Sequence, residues 1–68
     1  MRTEFDKEAN AAYVYFKEIA DGEVAETITL NDSINIDLDK NGKVLGIEIL
    51  DASKNLPSSS FKTLITNW

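Results

Sequence analysis

Ile34-Asn-Ile-Asp-Leu-Asp39-Lys-Asn41-Gly42-Lys-Val-Leu-Gly-Ile-Glu-Ile49 decides the fold of this chain. Its inner residues, Asp37 to Glu48, satisfy the spacing of a calcium-binding EF-hand loop. Such a loop needs a helix on each side to hold its oxygens around the ion. The flanks here alternate apolar and polar at every second position, which is the period of a strand. The stretch that would have to be the entering helix, Glu26 to Ile36, is rich in β-branched residues and interrupted by Asn31-Asp32-Ser33. The segment therefore reads as a β-hairpin closed by Asn41-Gly42. A two-residue type I′ turn there sets Leu38 across from Leu45, Ile36 across from Ile47 and Ile34 across from Ile49. Those aliphatic side chains share one face, and Asn35 opposite Glu48 and Asp37 opposite Gly46 take the other. A slip of one residue scatters the apolar set over both faces.

Upstream, the pattern predicts three further strands. The first runs from Arg2 to Asp6, followed by a Lys7-Glu8-Ala9-Asn10 turn that Asp6 and Asn10 are suited to stabilise. The second, Ala12 to Lys17, places Ala12, Val14 and Phe16 on one face and Tyr13 and Tyr15 on the other. Asp21-Gly22 closes the next connection, and a third strand spans Glu23 to Leu30. Downstream, Asp51 to Pro57 reads as an irregular stretch or one helical turn, ended by Pro57. Ser58-Ser59-Ser60 then offers helix caps, and Phe61, Leu64, Ile65 and Trp68 fall at i, i+3, i+4 and i+7. The expected fold is α+β: an antiparallel meander of about five strands over residues 1–50, with a C-terminal helix over 58–68 packed on one face. A helix of that length is only ~15 Å long and leaves much of a five-stranded sheet bare. A second copy of the chain or another protein would cover the rest.

The chain is one domain of 68 residues, without cysteine or histidine. Neither a disulfide nor a zinc site can supplement so small a core. Pairing with itself or with another protein is the usual remedy, so a homo-oligomer is expected. No apolar run reaches the ~20 residues that span a membrane, and the N-terminus lacks the apolar stretch of a signal peptide. A cytoplasmic location is the corresponding expectation. The net charge of −5 argues against nucleic acid, whose binding rests on cationic groups. It suits a small basic protein as partner, and it equally keeps a small protein soluble.

Two stretches carry a resemblance. Phe5-Asp-Lys-Glu-Ala-Asn-Ala-Ala-Tyr-Val14 resembles the opening of the small prokaryotic family catalogued as domain of unknown function 2283, tyrosine-Asp-x-Glu-Ala-Asp-Ala-Leu-Tyr-Ile. Ile34 to Ser53 resembles that family's Val-Asp-x-Asp-x-x-Gly-x-Val-x-Gly-Ile-Glu-Ile-Leu core. The likeness covers about residues 1–54. Phe5 replaces the usual tyrosine, Asn10 an aspartate and Ala12 a leucine, and the change at Asn10 weakens any chemistry built on an acidic pair there. The resemblance implies a fold but no activity and no catalytic residues. Gene pairing of such families with small toxin-like proteins implies an antitoxin-like or partner-binding role.

Candidate sites follow from side-chain type. Asp37, Asp39, Asn41 and Glu48 rim the hairpin and form the candidate divalent-cation site, against the plainer reading of a solvated strand face and turn. Asp6, Glu8, Glu48 and Asp51 are the carboxylates from which an acid–base pair would have to come. With no histidine or cysteine and little material for a cleft, no catalytic residue and no cofactor is expected. Glu23 and Glu26 read as ordinary surface charge. Tyr13 and Tyr15 suit an interface, or else packing against cross-strand threonines such as Thr27 and Thr29. Phe61, Leu64 and Trp68 either cover the chain's own sheet or pack on another chain. Gly46, mid-strand, marks a close approach and offers a place for a tyrosine ring to lie flat. The reading that results is a non-catalytic protein-interaction module, possessing an acidic surface and anchored by Tyr13, Tyr15, Phe61, Leu64 and Trp68.

Overall fold

The computed structural model describes residues 1–60. Five strands make one wholly antiparallel sheet: β1 (Arg2–Asp6), β2 (Ala11–Tyr15), β3 (Glu26–Thr29), β4 (Ile34–Leu38) and β5 (Val44–Ile49). A single-turn helix, α1 (Ala52–Asn55), follows. The strands lie side by side in the order β1-β2-β5-β4-β3. The sheet is thus not a simple meander. A β1–β2 hairpin and a β3–β4–β5 meander meet where β2 pairs with β5. The reason lies in β5, whose Leu45, Ile47 and Ile49 make it the most apolar strand and so place it in the middle. β3, with Glu26, Thr27 and Thr29, takes an edge and is exposed along its whole length.

This order requires residues 16–25 to cross the end of the sheet. The Phe16 N–H donates to the Leu45 carbonyl at 2.9 Å where the crossing begins, and the Ala25 N–H to the Leu38 carbonyl at 2.8 Å where it ends. Glu23 closes the connection on itself. One carboxylate oxygen accepts from the Ala20 N–H at 2.9 Å and the other from Lys17 Nζ at 2.5 Å. The Lys17 bond, followed by the Ala20 amide, holds the Glu23 carboxyl below its usual range.

In the central hairpin the expected pairs form: Ile34 with Ile49, Asn35 with Glu48, Ile36 with Ile47 and Asp37 with Gly46. The turn differs. Of Asn41-Gly42 only Gly42 has a positive φ, 78°, whereas a type I′ turn needs both. Asp39 donates its N–H to the Lys43 carbonyl at 2.9 Å, and its own carbonyl accepts from the Gly42 N–H at 3.0 Å. The loop is therefore three residues long and ends on a left-handed glycine. Asp39 Oδ1 fixes it by accepting from the N–H groups of Asn41 and Lys43, each at 2.9 Å. The added residue would shift every later pair by one. A β-bulge between Asp37 and Leu38 cancels that shift, so Leu38 pairs with Val44 rather than Leu45. Leu45 turns into the core and is 2% exposed, while Val44 is 45% exposed.

One face of the sheet is apolar. Val14, Ile47, Ile36 and Ile28 form one row across it, and Phe5, Ala12, Ile49 and Ile34 another. α1 covers the second row near β1 and β2: Ala52 is fully buried and packs with Ala12, Phe5, Ile49 and Leu56. Asn10 holds it there. With φ at 52°, a conformation asparagine tolerates, Asn10 accepts at its carbonyl from Ala52 N–H (2.8 Å) and at Oδ1 from Ser53 N–H (3.0 Å). Its Nδ2 donates to Ser53 Oγ at 2.8 Å. Ala12, Leu45 and Ala52 are the fully buried apolar residues among those described, while Phe16, Val24, Ile28 and Leu30 stay exposed. Residues 58–60 take a helical turn. The stripe of Phe61, Leu64, Ile65 and Trp68 expected to cap the sheet lies outside the described residues.

Candidate functional site

The face opposite the apolar one carries the polar side chains, and strand pairing sets them in two rows. One runs Glu4, Tyr13, Glu48, Asn35, Thr29; the next runs Arg2, Tyr15, Gly46, Asp37, Thr27. Tyr13 does not stay in its own row. It leans across β5 at Gly46 and its hydroxyl donates to Asp37 Oδ2 on β4 at 2.5 Å. A Cβ at Gly46 would sit 2.5 Å from that hydroxyl oxygen, a distance real carbon atoms do not reach. Glycine is required there because the ring occupies the side chain's place.

Each carboxylate among the expected cation ligands already has a partner. Asp37 accepts from Tyr13 on one oxygen and from Thr27 Oγ1 on the other at 2.6 Å. Glu48 accepts from Asn35 Nδ2 at 3.0 Å. Asp39 is spent on the turn. Asn41 gives its backbone N–H to Asp39 in that turn rather than joining Asp37 and Glu48 on the sheet. Among the described residues, no three acidic side chains converge as metal ligands would.

Tyr15 is held differently. Its hydroxyl donates to Glu4 Oε1 at 3.0 Å, and the Arg2 guanidinium lies 4.0 Å from its ring centroid. Arg2 also pairs with Glu4 and with Glu18, whose Oε2 is 2.8 Å from Nε. The Glu18 bond is the main cause holding the Arg2 guanidinium above its ordinary range, and Arg2 in turn holds the Glu18 carboxyl low. The two tyrosine rings are 4.4 Å apart and tilted by 48°. Both phenols are raised above the ordinary tyrosine value, first by burial and then by the carboxylate each one donates to. Since β5 and β4 both lie between β2 and β3, the tyrosines do not pack on Thr27 and Thr29 as cross-strand partners. Thr27 reaches Tyr13 only through their shared acceptor, Asp37.

Of the carboxylates weighed for acid–base chemistry, Asp6 accepts from the Ala9 N–H at 3.1 Å and stabilises its turn. Asp51 and Glu8 are exposed, and Asp51 precedes α1 with φ at 48°. Asp6 and Glu48 do border one open concavity of about 770 Å³, with Glu4, Ala11, Tyr13 and Tyr15. Its tyrosines and glutamates are bonded to neighbours, which makes this a braced surface more than a reactive one. Of the proposed anchors, Tyr13 and Tyr15 are therefore engaged within the chain, and Phe61, Leu64 and Trp68 lie outside the described residues. Arg2, Glu4 and Glu18 are participants the sequence did not single out. Their signal exists only once strand order is known, because each acts on a residue from another element.

Among the described residues no helix is long and apolar enough to cross a membrane. No curated protein and no solved structure shows significant similarity. The family model for the protein of unknown function DUF2283 matches residues 2–53, spanning all five strands and the start of α1. Both resembling stretches fall inside that match, and the chain belongs to the DUF2283 family.

Proposed function

We propose that this chain is a non-catalytic protein-interaction module, completed by another polypeptide on its apolar side. The observation that supports the reading is the state of that face. A sheet with one apolar face needs a second layer, and the helix seen against it has only four residues. Phe16, Ile28 and Leu30 on that face are left exposed. The opposite face has spent its tyrosines and carboxylates on internal bonds, so it offers few free groups for chemistry. A net charge of −5 favours a basic partner and speeds its approach. An antitoxin-like role, neutralising a small basic protein, is the specific form of this reading that the family resemblance raises.

The test is capture from host lysate by the wild-type chain beside a Phe16→Ser, Leu30→Ser double variant, with folding checked by circular dichroism. A near-stoichiometric basic protein held by the wild type and lost from the folded variant supports the reading. Equal capture by both baits rules out this surface.

A further inference from the structure

We propose that β3 pairs edge to edge with β3 of a second copy, extending the sheet to two fused five-stranded halves. This names a partner for the interaction-module reading and rests on it, but uses the sheet's edge rather than its face.

The argument starts from which backbone groups point outward. The Leu30 N–H donates to the Ile34 carbonyl at 2.8 Å, so Leu30 belongs to a hydrogen-bonded pair with β4. Such pairs alternate along an antiparallel ladder. Ile28, paired with Ile36, therefore points its backbone groups inward, and those of Thr27 and Thr29 point away from the sheet. All four residues of β3 are exposed. An edge of this kind is normally blunted by lysine, proline or a bulge. Glu23 to Leu30 contains no lysine and no proline, and from Glu26 to Thr29 β3 pairs with β4 in one continuous register.

The edge also fits itself. A two-fold axis perpendicular to the sheet keeps each face on its own side, so residues facing across the axis must share a face. Centring the axis on Ile28 sets Ile28 against Ile28 of the second copy, Thr27 against Thr29, and Glu26 against Leu30. In that register the outward groups of Thr27 and Thr29 form hydrogen-bonded pairs on both sides of the axis. Isoleucine meets isoleucine at the axis, threonine meets threonine, the Glu26–Leu30 pairs fall at the two ends, and no two like charges face each other. The alternative centred on Thr27 satisfies the same bonds but sets Glu26 against Ile28 on both sides of the axis and loses the central isoleucine pair. The Ile28-centred register also joins the two apolar faces into one and removes two exposed isoleucines from water. Self-complementarity of this kind is what a two-fold interface requires, and it selects a second copy over an unrelated strand.

The chain has no native cysteine, so single cysteine variants report the register directly. Residue 28 faces its own copy in a non-hydrogen-bonded pair, about 4.5 Å between Cα atoms, within the span a disulfide bridges. Residue 27 is displaced by two positions from its copy, roughly 8–9 Å away by strand spacing and rise, beyond that span. Under mild oxidation Ile28→Cys should become mostly disulfide-linked dimer, and Thr27→Cys should stay mostly free. Thr29→Pro removes an outward N–H that β4 does not use; it should remain folded by circular dichroism and lose the dimer in light scattering. Linkage at residue 27 in preference to 28 overturns the register. A wild-type dimer that resists Thr29→Pro and fails to link at residue 28 overturns edge pairing, while leaving an interface on the apolar face standing. A wild-type monomer at all concentrations overturns it as well.

Discussion

At Gly46 the absence of a side chain is what lets Tyr13 lie across β5 to reach Asp37. Gly46→Ala should therefore destabilise the fold by about 1–3 kcal/mol, the range for forcing an extra carbon into an occupied space. Tyr13→Ala should make the second change nearly harmless, so chemical denaturation of the four-member cycle should show strong coupling. Additive costs would mean that the ring does not occupy that space. The same contact governs alkaline behaviour. Burial and then the Asp37 bond raise the Tyr13 phenol, and burial and then Glu4 raise that of Tyr15. A phenol raised on folding contributes stability that is complete below the unfolded value, near pH 10, and is lost as pH rises through the folded one. Native protein should show its tyrosinate absorbance rise displaced above that of the unfolded chain, and stability should decline above pH 10. Tyr13→Phe should flatten that decline. Half the tyrosine signal titrating normally in the folded state would contradict the packing. A mid-strand glycine announces close approach in the sequence itself. That Arg2 lies on Tyr15 does not, because the contact depends on a pairing between strands.

Asn10 shows how an element is placed by one turn. It binds Ser53 through both ends of its side chain while holding a left-handed backbone. Asn10→Gly should lose only the side-chain bonds, at about 0.5–1.5 kcal/mol each. Asn10→Ala should add the left-handed strain of roughly 1–2 kcal/mol. Melting of both variants checks the order: a glycine variant no more stable than the alanine one would mean the backbone conformation costs nothing here. Asn10 was legible as a turn residue, but its grip on α1 was not, since Ser53 lies far along the chain. The central hairpin was legible in its pairs because alternation of Ile34, Ile36, Ile47 and Ile49 permits only one register. Its turn was not. A longer loop and a compensating bulge leave the same pairs beyond Asp37, so the apolar pattern does not distinguish the two.

For the molecule as a whole, strand order was the least legible feature. Sequence neighbours pair often enough to make a meander the simplest expectation, and only burial demands that β5, not β3, sit beside β2. The consequence is that the most exposed strand, β3, is left at the edge of the sheet. Self-association there must bring two chains of charge −5 together. Screening reduces that repulsion while apolar burial is retained, so added salt should tighten the dimer. Sedimentation of the full chain over a range of concentrations, at low and at high salt, tests the account most directly. It predicts a species of twice the chain's mass, populated at lower concentration as salt increases. A species of single-chain mass at every concentration and salt would contradict the claim that a second copy completes this sheet.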